Sequence, residues 1–174
     1  MTELLEQEKQ AFEIQKDPRT RRVCFVCTGN TCRSPMAEVI TNYLARRARQ
    51  AGDAAPTVEA ISRGLYANEG EAISYNTVRT LEKAGIEPQP SNDYRRHTAR
   101  TLTEEEALGC DLLVGMSMGH VLELMMRFPQ MAQRIVCMPA PINDPFGGDE
   151  EVYRACFEEI FAGVQALLFS EVTE

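Results

Sequence analysis

A cysteine and an arginine at Cys-x5-Arg spacing enclose the stretch Cys27-Thr28-Gly29-Asn30-Thr31-Cys32-Arg33-Ser34-Pro35. A thiol set over a helix N-terminus and beside an arginine ionises readily, and the thiolate is a nucleophile. A guanidinium grips two equatorial phosphate oxygens in one bidentate contact. Ser34 has two tasks open to it. As N-cap, with Pro35 in the next position, it would satisfy an orphan N–H; alternatively its hydroxyl can reach back to the Cys27 sulfur. Together Cys27 and Arg33 point to phosphoryl transfer through a phosphocysteine. The competing reading makes Cys27 an ordinary buried strand cysteine. Spacing alone does not separate the two, because a chain with six cysteines offers the pattern several chances to arise.

The surroundings favour chemistry. The apolar run Val23 to Val26 precedes the stretch, and a helical pattern starts at Pro35. A strand, a tight loop and a helix in that order aim several backbone N–H groups at one point, where the positive end of the helix adds to the field. Such a nest binds tetrahedral oxyanions. Gly29 and Asn30 supply the backbone freedom the loop needs.

A leaving group expelled from phosphorus needs a proton. Asp144-Pro145 lies in the loop after the last strand, where Phe146-Gly147-Gly148 bends the chain back. Asp144 is therefore the candidate proton donor in a first step and base toward water in a second; the competing reading is a plain Asp-Pro turn. His97, set among Arg95, Arg96 and Arg100, reads as support for a loop by hydrogen bonding. His120 reads as a surface position on a helix face.

Taken in order, the chain alternates. A helix carries Met36, Val39, Ile40, Tyr43 and Leu44 on one side and stops at Gly52. A strand over Thr57 to Ile61 ends in Ser62-Arg63-Gly64, and a helix over 76–84 closes at Gly85. Residues 88–96 read as an exposed loop. Thr103 and Glu106 form a capping box for a short helix ending near Gly109. A strand over 111–116, a helix capped by Ser117 and running to about 128, a strand over 134–138 and a final helix over 150–169 complete the chain. This alternation predicts an α/β fold, a doubly wound parallel sheet with helices on both faces. Ligands in such sheets sit beyond the carboxyl ends of the strands, so Cys27, Ser62, Ser117 and the loop 139–149 should share a rim. Residues 1–21 read as a charged N-terminal extension with a faint helical stripe at Leu4, Leu5, Ala11 and Phe12, and residues 22–174 as one catalytic domain.

The net charge of −8, without a basic helix, argues against nucleic-acid binding. No apolar run is long enough for a bilayer, and Met1 to Lys16 lacks the apolar centre of a signal peptide. A cytoplasmic protein with reduced thiols is expected. Cys24 and Cys27, three apart on a strand, point to opposite faces and cannot share a metal. Cys27 and Cys32 are the better redox pair, since a curled loop brings its ends together and a reversible disulfide would shield the nucleophile from over-oxidation.

Val26-Cys27-Thr28-Gly29-Asn30-Thr31-Cys32-Arg33-Ser34-Pro35-Met36-Ala37-Glu38, with Ser62 before a glycine turn, His97-x-x-Arg100 before Leu102-Thr103, and Asp144-Pro145, resembles the low-molecular-weight protein tyrosine phosphatase family over about residues 22–170. The resemblance implies a four-stranded parallel sheet with a phosphate-binding loop after the first strand, formed by Thr28, Gly29, Asn30, Thr31, Cys32 and Ser34. It implies Cys27 as nucleophile, Arg33 as phosphate clamp and Asp144 as general acid, with no metal or other cofactor. Asn30 and Ser62 would hold the shape of the loop, Ser34 would favour the Cys27 thiolate, and Cys32 would form the protective disulfide. Phosphorylated proteins would be the substrates and inorganic phosphate the product.

Two details resemble the bacterial protein-arginine phosphatases within that family. Thr31 stands where tyrosine phosphatases carry a bulky aliphatic residue, and Phe146-Gly147-Gly148 replaces paired tyrosines. Thr31 and Phe146 are thus the implied selectivity residues: a threonine gives a smaller wall and a hydroxyl, and the Asp144 carboxylate can pair with a guanidinium. A phosphotyrosine phosphatase of the same fold is the alternative. An arsenate reductase would need relay thiols, and residues 63–109 contain no cysteine. A phosphate-sensing module would need neither thiol nor acid. Arg63, where the family usually has alanine, is expected to add an anion contact or narrow the pocket. The 86–97 region looks longer than the family's, and residues 1–21 have no recognised counterpart.

Overall fold

Four strands form one sheet: β1 (Thr20–Cys27), β2 (Thr57–Gly64), β3 (Leu112–Gly115) and β4 (Ile135–Cys137), in the order β2-β1-β3-β4 with every pairing parallel. The computed structural model describes residues 20–53 and 57–170; of the segment 1–21 read as a charged extension, residues 1–19 lie outside the described residues and Thr20 and Arg21 open β1. β1 is flanked on both sides, so its inner residues from Val23 to Cys27 are all buried and read as a continuous apolar run. Its register sets Cys27 opposite Gly64 of β2 and Val26 opposite Gly115 of β3. The end of β1 is thereby walled in by two strand ends.

The helices are α1 (Arg33–Gln50), α2 (Tyr75–Lys83), α3 (Glu104–Leu108), α4 (Met118–Arg127) and α5 (Glu150–Val164), the last continued by a π-helical turn over Gln165–Phe169. Two apolar layers sandwich the sheet. Val23, Phe25 and Val114 meet Met36 and Ile40 of α1 and Tyr153, Cys156 and Ile160 of α5 on one face. Cys24, Val26 and Leu113 meet Ala107 of α3 and Val121 and Leu124 of α4 on the other. This is the doubly wound architecture, and Cys24 and Cys27 do face opposite layers.

Local chemistry sets the boundaries. Gly52 takes φ +76° just past the end of α1. Thr103 and Glu106 make both bonds of a capping box, while Ser117 and Asp149 cap α4 and α5. Ser74 caps α2 in the same way. β1 and β2 run beyond Val23 to Val26 and Thr57 to Ile61, because parallel pairing on β1 carries the ladder on to Cys27 and Gly64. The segment 88–96 is not a wholly exposed loop. It holds a 3-10 turn at Tyr94–Arg96, and Tyr94 is buried with its hydroxyl donating to the Ile86 carbonyl at 2.6 Å. No helix among the described residues is long and apolar enough to cross a membrane.

Candidate active site

Cys27 is the last residue of β1 and Arg33 the first of α1, so residues 28–32 must reverse the chain between a strand end and a helix start. The reversal turns on Asn30, whose φ of +59° is unique among the described non-glycine residues. Asparagine tolerates that left-handed region because its short amide can bond locally. Here it does so in every direction. Its side-chain nitrogen donates to the Ser34 and Ser62 hydroxyls, each at 3.0 Å, and its side-chain oxygen accepts from the Arg100 N–H at 3.0 Å. Its carbonyl accepts from His97 Nε2 at 2.9 Å, and its own N–H donates to Cys27 Sγ at 3.3 Å.

Ser62 passes the chain onward by donating to Glu38 Oε2 at 2.5 Å. Burial pushes the Glu38 carboxyl up to about 7, with the Ser62 hydroxyl and the Arg63 charge acting against it. Burial lowers the pKa of His97, the Asn30 carbonyl opposing and Arg63 adding to the shift. His97 thus supports the loop by one hydrogen bond to a backbone carbonyl.

Ser34 is not the N-cap of α1. That position belongs to Cys32, which makes no side-chain capping bond, and α1 begins at Arg33 because the tight loop brings the Met36 N–H onto the Cys32 carbonyl. The Ser34 hydroxyl is engaged elsewhere. Its oxygen accepts from Asn30, and its hydrogen has the Cys27 sulfur at 2.9 Å and the Arg63 carbonyl at 3.4 Å as acceptors. The sulfur is the nearer of the two.

Three elements buttress the loop from outside. The end of β2 lies so close that a Cβ on Gly64 would stand 2.7 Å from the Thr28 carbonyl oxygen. Leu65 and Tyr66 donate their N–H groups to the Cys27 and Thr28 carbonyls at 2.9 and 3.0 Å. From the start of α2, the Ser74 N–H and the Thr77 hydroxyl both donate to the Thr31 carbonyl. From α5, the Tyr153 hydroxyl sits 3.3 Å from Cys32 Sγ and accepts from Ser74 Oγ at 3.2 Å. Burial, helped by Cys32, pushes Tyr153 up to about 12.

Arg33 is buried to 8% exposure, and its Nη2 stands 3.4 Å from Asp144 Oδ2. The Asp144 side chain is 56% exposed, so the carboxylate closes over the guanidinium from the solvent side. Its other oxygen accepts from the Phe146 N–H at 3.2 Å, a local turn of the kind Asp favours. Gly147 at φ +76° then folds the loop back toward α5. Phe146 itself is 78% exposed.

Two sequence-based expectations fail here. Arg63 turns away from the rim: its guanidinium pairs with Glu106 of α3 at 2.7 and 3.0 Å, so it offers the pocket no anion contact. His120 is no surface residue. It is 6% exposed, with Nε2 3.0 Å from Thr28 Oγ1 and Nδ1 2.9 Å from Ser117 Oγ. Burial and the Arg33 charge push it down to about 4, against the pull of Asp144. The signal that could have found it is Ser117, a strand-end cap on the reactive rim with a histidine three residues on. Among the described residues no three of His, Cys, Asp or Glu converge as metal ligands.

The family model described as low molecular weight phosphotyrosine protein phosphatase matches residues 22–174. A protein-arginine-phosphatase of Geobacillus stearothermophilus is 34% identical over 146 residues, covering 80% of this chain and 88% of that protein. The low molecular weight protein-tyrosine-phosphatase PtpB of Staphylococcus epidermidis is 30% identical over 153 residues, 85% of this chain and 97% of that one. Among solved structures, a low molecular weight protein tyrosine phosphatase from T. tengcongensis superposes with a TM-score of 0.74 at 36% identity, over 85% of this chain and 97% of the other. The YwlE arginine phosphatase from Geobacillus stearothermophilus gives 0.71 at 32% identity, over 84% and 90%.

Proposed function

The chain belongs to the low molecular weight phosphotyrosine protein phosphatase family, and from that premise we propose that it removes phosphate from arginine side chains of proteins. In the first step the Cys27 thiolate attacks phosphorus. The bond from phosphorus to the guanidino nitrogen breaks, and Asp144 hands that nitrogen a proton. In the second step Asp144 takes a proton from water, the water oxygen bonds to phosphorus, and the sulfur–phosphorus bond breaks to release inorganic phosphate. The backbone N–H groups of residues 28–33 and the Arg33 guanidinium hold the equatorial oxygens throughout. Cys32 acts as redox partner of Cys27 under oxidising conditions.

The observation that carries the arginine reading is Thr31. Its carbonyl is fixed by Ser74 and Thr77 and its hydroxyl lies 3.6 Å from Cys32 Sγ, so a short polar side chain is held in the loop that carries Cys27 and Arg33. A guanidinium needs hydrogen-bond acceptors around it, and a hydroxyl and a carboxylate supply them. The relative named a protein-arginine-phosphatase supports the same reading. One observation favours phosphotyrosine instead: Tyr66, 65% exposed, presents an aromatic ring two residues past the β2 end that buttresses the loop.

The deciding experiment is kcat/KM on one peptide carrying phosphoarginine and on its phosphotyrosine counterpart, for wild type, Thr31→Ile and Cys27→Ser. The expected result is a preference for phosphoarginine that Thr31→Ile reverses. Preference of the wild type for phosphotyrosine would overturn the arginine reading, and turnover by Cys27→Ser would overturn the mechanism.

A further inference from the structure

His120 reaches the phosphate loop from the far side of β3, and it is the one buried imidazole among the described residues that touches a loop side chain. Its two nitrogens face two hydroxyls, and the hydrogens can be assigned by counting. Ser117 Oγ already accepts the His120 backbone N–H at 3.4 Å as the cap of α4. Among the described residues Nδ1, at 2.9 Å, is the one acceptor within reach of the Ser117 hydroxyl, and its hydrogen is assigned to that bond. A neutral imidazole carries one N–H, and with Nδ1 accepting, that hydrogen lies on Nε2. Nε2–H then donates to Thr28 Oγ1 at 3.0 Å. The Thr28 hydroxyl keeps its own hydrogen free, and Thr28 is exposed at the pocket mouth directly after the nucleophile.

We infer that His120 is a positioning residue, which fixes the Thr28 hydroxyl as a hydrogen-bond donor to the phosphoryl group carried on the Cys27 sulfur. The inference rests on the phosphoryl chemistry proposed above but not on the choice between arginine and tyrosine. Three features support it. The imidazole stays neutral over the working range, because burial and Arg33 both disfavour its charged form while Asp144 alone opposes them. Thr28 also follows the Cys27 nucleophile directly in the chain, at the turn from β1 into the loop. The Thr28 main chain is itself clamped, its carbonyl accepting from Tyr66 and abutting Gly64, so the side chain has one direction in which to leave the backbone. A donor aimed where charge gathers on phosphorus, and costing no rearrangement, is the kind that lowers a barrier.

The test is a double-mutant cycle on kcat and KM with Thr28→Val, His120→Leu and the double variant, plus His120→Gln. It uses whichever of the phosphoarginine and phosphotyrosine peptides the wild type hydrolyses faster, so a failed arginine preference shows in the wild type alone and leaves the cycle readable. Thr28→Val is expected to lower kcat/KM about tenfold, the size of one hydrogen bond to a charged group, with the loss in kcat. His120→Leu should lose the same, the double variant no more than either single one, and His120→Gln should recover most of the loss by offering an amide N–H near the Nε2 position. Losses that multiply in the double variant would overturn the inference, as would wild-type kcat in Thr28→Val. Should His120→Leu fail to fold, Thr28→Val and His120→Gln decide alone: Thr28→Val must lose kcat and His120→Gln must retain it, and either opposite result overturns the assignment.

Discussion

Asp144 Oδ2 stands 3.4 Å from Arg33 Nη2, joining the loop after β4 to the first residue of α1 across the mouth of the site. The pair is asymmetric: the guanidinium is buried and the carboxylate mostly exposed. A substrate phosphoryl group entering the nest competes with Asp144 for Arg33. On the proposed mechanism that displacement would free the carboxyl group to act as the acid.

Asp144→Asn keeps the shape and removes the proton traffic. Its kcat should fall by about 10²- to 10⁴-fold, the usual contribution of a positioned acid or base. Inorganic phosphate should still inhibit by occupying the loop. A kcat close to wild type in steady-state assays would remove Asp144 from both steps.

Gly64→Ala tests the buttress from β2. The added methyl would lie 2.7 Å from the Thr28 carbonyl and 3.0 Å from the Ala67 Cβ. The backbone must shift, at a cost of about 1 to 3 kcal/mol. Thermal unfolding should show a lowered Tm, and phosphate inhibition should weaken because the displaced carbonyl belongs to the loop. A Tm and an inhibition constant both at wild-type values would mean that the loop is not braced there.

Stability should respond to pH through two groups of opposite sign. Burial raises Glu38 from 4.5 to about 7, so between those values the folded protein holds a proton that the unfolded chain has released. The contribution of Glu38 is present below the lower value and is lost as pH rises through about 7, at most about 3 kcal/mol in all. His120, lowered from 6.5 to about 4, works the other way: its contribution is present above 6.5 and is lost as pH falls through about 4. The Tm of wild type minus that of Glu38→Gln should therefore decline from about pH 5 to about pH 8. A difference that stays level over this range would show that Glu38 titrates as an ordinary carboxyl.

Oxidation separates the roles of the two loop cysteines. On the proposed pairing, peroxide would convert Cys27 to the sulfenic acid, and the Cys32 thiol would displace water from it to give a disulfide that added thiol reduces. Wild type treated in this way should regain most of its activity with a thiol reductant, and Cys32→Ser should not. Equal recovery of the two proteins would remove Cys32 from any protective part.

Much of the fold was legible because its signals are local. The run ending at Cys27, the helix pattern from Pro35 and the Thr103–Glu106 box each lie within a few residues, and alternation did the rest. Cys27, Arg33 and Asp144 stood out in the sequence because a thiol falls at a strand end, a guanidinium at a helix start and a carboxyl in a loop of the same rim, and the structure brings Arg33 and Asp144 together. What escaped depends on partners far along the chain. Arg63 turns toward Glu106, 43 positions away. Helical spacing shows His120 on one face of α4 but cannot show that Thr28 of the loop after β1 meets it, 92 positions earlier. Ser34 looked like a cap because Ser-Pro usually is one, whereas the tight closure of the loop starts α1 two residues sooner, at Arg33.

The order in which the reactive loop and its supports occur along the chain has a consequence for synthesis. Residues 27–33 emerge from the ribosome before Arg100, His120, Asp144 and Tyr153, which hold or cover them. Parallel pairing also forbids β1 a neighbour until β2 and then β3 have been made. A nascent chain stalled before β3 thus carries the thiol without its nest: a cysteine open to oxidants and unable to turn over phosphate. The support around the loop is complete only once α5 has been made, whereas the thiol it holds is present from β1 onward.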